Sequence, residues 1–381
     1  MSNLKNIVSE MFRNDRNSWC LFPLFLISIL YSGIIRLRNL FYQTGLFKVR
    51  KLGCKVISVG NITVGGTGKT PMVIMLANLL KEKGYRPAIL SRGYGGKKRR
   101  RVNVVSDGKN LLMNPEKAGD EPVLIAKSVI NIPVVTGKKR YLTGKFAIEH
   151  FGADVLILDD AFQHRSLFRD IEIVLLDNKK PFGNGFVIPR GELREPANAL
   201  GRADIIVKTG DRGQGTGDRR QGRGVTEQVA GNSGEWSVDS GSGQQAVAPV
   251  YYKAYRRPKD LLKVDTGNVY PLAHLHGKKV FAFAGIARPE HFKKTIESLR
   301  GKLVSFINFP DHHVYTQEDL IKIKKAASQS SAQIILTTEK DGIKLIDFPD
   351  FLRDIYLLRI EMEISPSQKE FENIILKKLE T

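Results

Sequence analysis

Short apolar runs alternate with helical stretches along the chain from about residue 50 to residue 210. The runs are rich in Val, Ile and Leu with no polar face, which is typical of parallel strands buried on both sides. They read, in chain order, KVISVGN, PAILS, IPVVTG, ADVLILDD, IEIVLLD and ADIIVKTG. The pattern predicts an α/β region built on a mostly parallel sheet that helices cover on both faces.

The same alternation returns near residue 250 and continues towards the C-terminus. KKVFAFAG, LVSFINF and AQIILTT predict three further strands, each followed by helical or turn spacing. The closing stretch SPSQKEFENIILKKLE predicts an amphipathic helix. We therefore expect a second, smaller α/β domain that ends in this helix.

The pattern breaks between these two regions. Residues 210–249 contain ten glycines and no Leu, Ile or Phe, so they cannot bury enough apolar surface to offset chain entropy. We predict a flexible low-complexity insertion there. The expected organisation is an apolar N-terminal helix over 1–45, an α/β domain over 46–209, the insertion, and a C-terminal α/β domain over 250–381.

The N-terminal region contains an uncharged segment of 19 residues, 17–35, close to the roughly 20 that span a bilayer as a helix. Basic residues flank it on both sides, so the distribution of positive charge does not orient it across a membrane. A cleavable signal peptide would have a shorter apolar region followed by a small-residue cleavage site. The segment fits a helix that spans a membrane or lies in its cytoplasmic leaflet, and a buried core helix is the alternative.

Composition narrows the class of protein. With 42% hydrophobic and 26% charged residues, a wholly disordered chain is excluded. The chain has 60 Lys and Arg against 39 Asp and Glu, and its net charge of +21 favours anionic partners. The basic run at 97–101 fits either an acidic membrane surface or a solvated hairpin tip. No aromatic stacking motif accompanies this run, so we expect no nucleic-acid partner.

The most specific chemical signal is the glycine-rich turn in VISVGNITVGGTGKTPMVIMLANLL. Backbone N–H groups of such a turn cradle phosphate oxygens, the lysine reaches the outer phosphates of a nucleotide, and the threonine can ligate magnesium. The strict P-loop pattern requires glycine where Thr63 stands, so it fails by one residue. The residues predicted to bind nucleotide are Gly65, Gly66, Thr67, Gly68, Lys69 and Thr70.

Two carboxylates, Asp159 and Asp160, end the apolar run ADVLILDD. Ligands bind outside the carboxyl ends of strands in open α/β sheets, and a P-loop requires a second magnesium anchor beside it. We predict that Thr70, Asp159 and Asp160 hold Mg²⁺. A helix cap would account for one of the two carboxylates but not for both.

These motifs and several others occur in one order and resemble the tetraacyldisaccharide 4′-kinase family of lipid A biosynthesis. The resemblance covers the chain from the apolar N-terminus to the final helix, except for residues 210–249. It implies P-loop NTPase-type α/β architecture, with transfer of the γ-phosphate of ATP to the 4′-hydroxyl of a tetraacyl glucosamine disaccharide 1-phosphate. The matching motifs are SVGNITVGGTGKTP, SRGYGG, AGDEP, LDDAFQH, PFGNG with GELREP, FPDHHVYT and TTEKDGIKL.

The resemblance places a catalytic Asp on Asp120 and its partner on His312, which we choose over His313 because the Asp-His pair is the fixed element of the family. A carboxylate suits the removal of the acceptor's proton, so Asp120 is the expected base and His312 its orienting partner. The reverse assignment stays open, and so do a helix cap for Asp120 and a loop histidine bound to backbone for His312. Lys69 is expected to act in catalysis as well as in binding.

A wider group of polar residues in these motifs is expected to position magnesium or substrate, to contact phosphate, or to lie near the nucleotide base. The last role rests on the likeness of TTEKD to the base-reading NKxD element of GTPases, and a structural turn is the alternative there. The residues are Gln163, His164, Arg194, Glu195, Arg92, Lys340 and Asp341.

A membrane-associated P-loop ATPase or GTPase, acting as a switch or metallochaperone, is the alternative function. It would explain the P-loop and TTEKD, but it leaves the apolar N-terminus unexplained and would need a Cys/His cluster for its cargo metal. We expect ATP as co-substrate, Mg²⁺, and an acylated disaccharide 1-phosphate as substrate. We also expect a monomer, held peripherally or monotopically at the cytoplasmic face of an anionic inner membrane, with its catalytic domains in the cytoplasm.

Overall fold

The computed structural model of the chain describes residues 21–97, 100–211, 248–311 and 313–381. Four sequence predictions fall wholly or partly outside these ranges. They are the start of the apolar N-terminal segment, the centre of the basic run, most of the low-complexity insertion, and the histidine at position 312.

The first half of the chain forms seven strands within the described residues. Six of them are the apolar runs that the sequence predicts, and the seventh, Asn103–Ser106, was not predicted. The seven strands are β1 (Lys55–Asn61), β2 (Pro87–Ser91), β3 (Asn103–Ser106), β4 (Val134–Thr136), β5 (Val155–Asp159), β6 (Ile171–Asp177) and β7 (Ile205–Asp211). Five helices and one 3-10 turn accompany them. These are α1 (Phe22–Gln43), α2 (Lys69–Glu82), α3 (Pro115–Ala118), α4 (Asp120–Ser128), α5 (Arg140–Phe151) and the turn at Ala197–Arg202.

The second half contributes six strands from residue 250 onwards. They are β8 (Val250–Lys263), β9 (Val269–Tyr270), β10 (Lys279–Ala284), β11 (Lys302–Asn308), β12 (Ile334–Thr338) and β13 (Ile355–Ser365). Its helical elements are a 3-10 turn at Leu272–Leu275 and α6 (Pro289–Ser298), α7 (Gln317–Gln329), α8 (Glu339–Lys344), α9 (Pro349–Leu352) and α10 (Gln368–Glu380).

One sheet runs through both halves, in the order β3-β4-β2-β5-β1-β6-β7-β8-β13-β12-β10-β11, with β9 paired to β8. Neighbours in this described sheet are parallel except for three pairs, β3 with β4, β8 with β13, and β8 with β9. The predicted fold class is therefore confirmed: a mostly parallel α/β sheet with helices, preceded by an apolar N-terminal helix. The division into two domains stays a prediction.

Apolar cores cover both faces of the first half of the sheet. Ile57 and Val59 of β1 point to the face where α2, α4 and α10 pack, whereas Val56 points to the face where α5 packs. The final helix α10 therefore packs against the strands of the first half. Its Phe371 and Ile375 are completely buried there.

Because Phe371 is fully buried against the strands of the first half, we expect Phe371→Ala to lower the free energy of unfolding by about 3–5 kcal/mol. Urea unfolding followed by circular dichroism measures this loss. Asn373→Ala, at an exposed position of the same helix, is the matched control and should cost less than about 0.5 kcal/mol. A loss as small as that of the control would mean that α10 is not part of the main core.

Candidate active site

The glycine-rich turn leads from the end of β1 into the first turn of α2. Gly65 and Gly68 have φ values of 124° and 88°, in the left-handed region that glycine adopts without strain. A Cβ on Gly65 or Gly66 would have no neighbour within 4 Å, so the outer side of the turn is open. At its inner side, the Asn61 amide donates to the buried Thr67 hydroxyl at 3.1 Å. This bond fixes the loop to the end of β1.

The GELREP segment pairs with this loop as a short strand would. The Val64 N–H donates to the Glu192 carbonyl at 2.7 Å, and the Arg194 N–H donates to the Ile62 carbonyl at 2.6 Å. Gln163 supports the same loop from the other side, since its amide donates to the Asn61 carbonyl at 2.9 Å. The predicted residues Gln163 and Arg194 therefore both lie beside the P-loop.

Asp160 joins the P-loop to GELREP through two cations. Lys69 Nζ lies 3.5 Å from its Oδ1, and Arg194 Nη1 donates to both carboxylate oxygens at 2.9 and 3.0 Å. Burial opposes ionisation, but the charges of Lys69 and Arg194 outweigh it and hold the pKa of Asp160 below its usual range. Asp160 is therefore a carboxylate at neutral pH, and it anchors both cations.

Asp159 has the opposite electrostatic environment, although it is the adjacent residue. It is buried beside Val59 of β1, and it accepts a hydrogen bond from Ser91 at 2.9 Å. Burial, followed by the negative charges of Glu121 and Asp160, raises its pKa to about 6. Glu121 is a site residue that sequence reasoning missed. Its only signal was its place immediately after Asp120.

Asp120 is the first residue of α4, where a helix N-terminus stabilises negative charge. The preceding Gly119 has φ 92°, and a Cβ there would collide with the Tyr94 carbonyl. The AGDEP and SRGYGG motifs therefore pack directly against each other, at the ends of α3 and β2. Helix α4 also packs beside α8 of the second half. The expected partner of Asp120, the histidine at position 312, lies outside the described residues, so the pairing of the two stays a prediction.

Arg92 lies on the outer side of SRGYGG, with its guanidinium 4.8 Å from the centre of the Tyr94 ring. It lines a surface pocket that also has Arg100, Lys117 and Lys138 on its walls. The four cationic side chains give this pocket a positive potential, which suits an anionic group. Arg92 is thus placed at a basic pocket, beside the loop that carries Asp120.

Lys340 and Asp341 lie at the carboxyl ends of the second-half strands. The buried Asp341 accepts hydrogen bonds from the Gly285 N–H at 3.1 Å and the Thr338 hydroxyl at 2.7 Å, so it ties the start of α8 to the loop after β10. Lys340 Nζ donates to Asp311 at 3.1 Å, in the loop after β11. Lys340 therefore holds the residue immediately before the predicted catalytic histidine.

Glu195 is fully buried and faces α1. Its carboxylate accepts from Arg38 at 3.0 Å and from the Asn39 amide at 3.1 Å, and Arg202 lies 3.0 Å away. Nearby, burial and then the charges of surrounding arginines lower the pKa of His164 to about 4, so its ring is neutral at pH 7. Glu195 acts as the buried anchor of the N-terminal helix in this structure.

One side of α1 is bonded to the protein along much of its length. Ser28 donates to the Val187 carbonyl at 2.9 Å, and the Tyr31 hydroxyl donates to the Arg194 carbonyl at 3.2 Å. Among the described residues, α1 is the one helix long and apolar enough to cross a membrane, and little of it is buried. The side chains exposed on it include Leu26, Ile27, Ile29, Leu30, Ile34, Leu37 and Leu40.

The chain is similar to several known proteins over most of its length. The sequence model of the family described as tetraacyldisaccharide-1-P 4′-kinase matches residues 18–380. A tetraacyldisaccharide 4′-kinase from Syntrophus aciditrophicus is 50% identical, over 96% of this chain and 94% of its own. One from Desulfatibacillum aliphaticivorans is 40% identical, over 93% of this chain and 92% of its own. The crystal structure of "apo" form LpxK from Aquifex aeolicus in complex with ATP is also similar, with a TM-score of 0.72 and 33% identity over 94% of this chain and 98% of that one.

The raised pKa of Asp159 predicts a pH-dependent effect of Asp159→Asn on the metal-free protein. The folded state binds this proton more tightly than the unfolded state, so the stability that Asp159 contributes is complete below its ordinary pKa of 3.8 and is lost as the pH rises through about 6. Asn does not titrate. We therefore expect the variant to gain up to about 3 kcal/mol over the wild type at pH 8 and almost nothing at pH 4.

Urea unfolding at pH 4, 6 and 8 with EDTA present measures this difference. Asp347→Asn, at an exposed position after α8, is the control, and its effect should be similar at pH 4 and pH 8. Equal gains in stability for Asp159→Asn at pH 4 and pH 8 would contradict the raised pKa of Asp159.

Proposed function

Since the chain belongs to the tetraacyldisaccharide-1-P 4′-kinase family, we infer that it transfers the γ-phosphate of ATP to the 4′-hydroxyl of a tetraacyl glucosamine disaccharide 1-phosphate in lipid A biosynthesis. The activity for which the relatives are named and the ATP complex of the similar structure support this inference. Within the chain, the strongest support comes from the P-loop. Its Lys69 and the Arg194 side chain of GELREP both pair with the Asp160 carboxylate. The alternative function, a switch ATPase or metallochaperone, explains fewer features of the chain, because it requires neither the GELREP segment nor α1.

Phosphoryl transfer requires positioning and neutralisation of phosphate charge more than covalent help from the protein. Lys69 lies at the N-terminus of α2, where backbone amides and the helix dipole also favour anions. In this structure Lys69 and Arg194 share the Asp160 carboxylate, which holds both cations beside the loop. We propose that the phosphates of ATP compete for these two cations when the nucleotide binds.

The oxygen ligands at the site suit Mg²⁺, which prefers carboxylates, hydroxyls and water. We propose that Thr70, Asp159 and Asp160 hold it. The described residues contain no group of three or more His, Cys, Asp or Glu side chains that could hold a metal alone, so phosphate oxygens and water would complete its ligands. When bound, the ion would neutralise charge on the β- and γ-phosphates.

Asp120 is the proposed base for the 4′-hydroxyl, with His312 as the residue that orients it. The position of Asp120 supports this role, because it begins α4 at the point where AGDEP packs against SRGYGG. In the second half, Lys340 donates to Asp311, the residue that precedes His312 in the sequence. The two proposed domains, 46–209 and 250–381, would then each supply one member of the pair.

We propose that α1 lies in the cytoplasmic leaflet of the inner membrane as a monotopic anchor, and that the enzyme works there as a monomer. The bonds from Ser28 to Asn39 hold about 16 Å of helix against the protein body, which argues against a helix that crosses the bilayer there. The apolar side chains on its free side would enter the lipid, and the net charge of +21 suits an anionic surface. This position would bring the acylated substrate to the GELREP segment.

The kinase assignment predicts magnesium-dependent transfer of label from γ-labelled ATP to tetraacyldisaccharide 1-phosphate in detergent. Asp120→Ala should lower this transfer by about a hundredfold or more, because it removes the proposed general base, and ATP binding should persist. Asp350→Ala, at an exposed acidic position on α9, is the control and should match the wild type. ATP hydrolysis with no label on the lipid would favour the switch ATPase instead.

The membrane proposal predicts that Leu30→Glu together with Ile34→Glu abolishes sedimentation with anionic phospholipid vesicles. The charges would enter the face of α1 that we place in the lipid, and activity on detergent-solubilised substrate should fall by less than about threefold. Ile321→Glu, at an exposed apolar position on α7, should leave sedimentation unchanged. Vesicle binding that survives the double substitution would contradict the proposed role of α1.

A further inference from the structure

Strand β8 extends beyond the edge of the sheet where the P-loop begins. Asn61, the last residue of β1, aligns across the sheet with Leu175, then with Val207, and then with Tyr252 of β8. Arg256 lies four residues further along β8, which corresponds to about 13 Å beyond the end of β1. Ligands of parallel α/β sheets bind at this carboxyl edge. The backbone therefore carries Arg256 into the region beside the phosphate-binding loop.

The side of β8 on which Arg256 lies is the side of the P-loop helix. Alternate residues of a strand share a face, so β8 has Tyr252, Ala254 and Arg256 on one face. The first two are buried in the same apolar core as residues of α2. Met362 of β13, which pairs with Arg256, belongs to the same core. On this face of β8, the buried Tyr252 and Ala254 are therefore followed by the cationic side chain of Arg256.

The stem of Arg256 passes over the P-loop itself. A Cβ built on Gly68 would lie 4.0 Å from Arg256 Cδ and 2.9 Å from Met362 Cε. Gly68 is the residue immediately before α2, and Lys69 follows it. The guanidinium extends beyond Cδ, so Arg256 adds a half-buried positive charge to the helix N-terminus and the Lys69 ammonium. This grouping of positive charge is favourable around an anion.

We propose that Arg256 binds the terminal phosphates of the nucleoside triphosphate from the second half of the chain, across the P-loop from Lys69. This proposal rests on the proposed use of ATP. The planar guanidinium presents two parallel donors to phosphate oxygens, which a lysine in the same place cannot do. Because β8 connects the P-loop half to the second half, this contact makes nucleotide binding depend on both.

The experiment compares the affinities of ATP and ADP in Arg256→Met and Arg257→Met by calorimetry. Arg257 is the neighbouring residue on the opposite face of β8, and it pairs with Glu361 at 2.6 Å, so its variant controls for loss of charge on this strand. Arg256→Met should weaken ATP about tenfold and ADP less than about threefold, because ADP lacks the γ-phosphate. Arg256→Lys should recover part of the loss, and Arg257→Met should bind both nucleotides like the wild type.

Equal affinities in Arg256→Met and the wild type would overturn the proposal, and so would equal losses for ATP and ADP, which indicate a structural role. If the wild type binds ATP and Lys69→Met does not, the proposed function stands whatever the result at Arg256. If the wild type does not bind ATP, the proposed function fails first.

A measurement on the unmodified chain covers the case in which Arg256→Met does not fold. Phenylglyoxal modifies accessible arginines, and peptide mass spectrometry quantifies each site. ATP should slow the modification of Arg256 at least about fivefold and that of Arg257 less than about twofold, because a bound phosphate shields only the former. Equal rates at Arg256 with and without ATP would overturn the proposal.

Discussion

The pairing of the GELREP segment with the glycine-rich loop is the interaction on which the rest of the site depends. Its backbone bonds fix the loop, the Arg194 side chain holds Asp160, and the Glu195 side chain holds α1. Three features that are far apart in the sequence therefore share one short stretch of chain. Arg194 contacts both features directly, because its N–H donates to the Ile62 carbonyl of the loop and its carbonyl accepts from Tyr31 of α1.

The charges of neighbouring groups, and not burial alone, give the two adjacent carboxylates of the acidic pair different pKa values. Both lie in a desolvated place, which by itself disfavours ionisation. Asp160 receives two cations and stays charged, whereas Asp159 has Ser91 as its hydrogen-bond donor and Glu121 as a nearby like charge. A buried site can thus hold one firm anion and one readily protonated neighbour without any difference in residue type.

The sequence was sufficient for the elements whose pattern is unambiguous. Short apolar runs such as ADVLILDD become fully buried parallel strands, and Lys69 of the P-loop lies 3.5 Å from Asp160 of the acidic pair. Strands β8 and β13 were not predicted, because they form an antiparallel ladder whose many charged residues hide the alternation. The roles of the site residues were harder to predict from the sequence, since each role depends on bonding partners that are distant along the chain. Glu195 and Asp341 occur in motifs that suggest ligand contact, yet each makes buried bonds that hold loops and helices together.

The parallel pairing of β7 with β8 sets a minimum length for the chain between them. Ile205 pairs with Val250 and Asp211 with Arg256, so the chain leaves β7 at one edge of the sheet and enters β8 at the other. Covering that return takes about 20 Å, and parallel neighbours require a crossover of a dozen or more residues where a hairpin needs two. The chain between these strands therefore cannot be shortened to hairpin length. A hairpin-length graft in its place would break the parallel pairing that joins the two halves of the sheet.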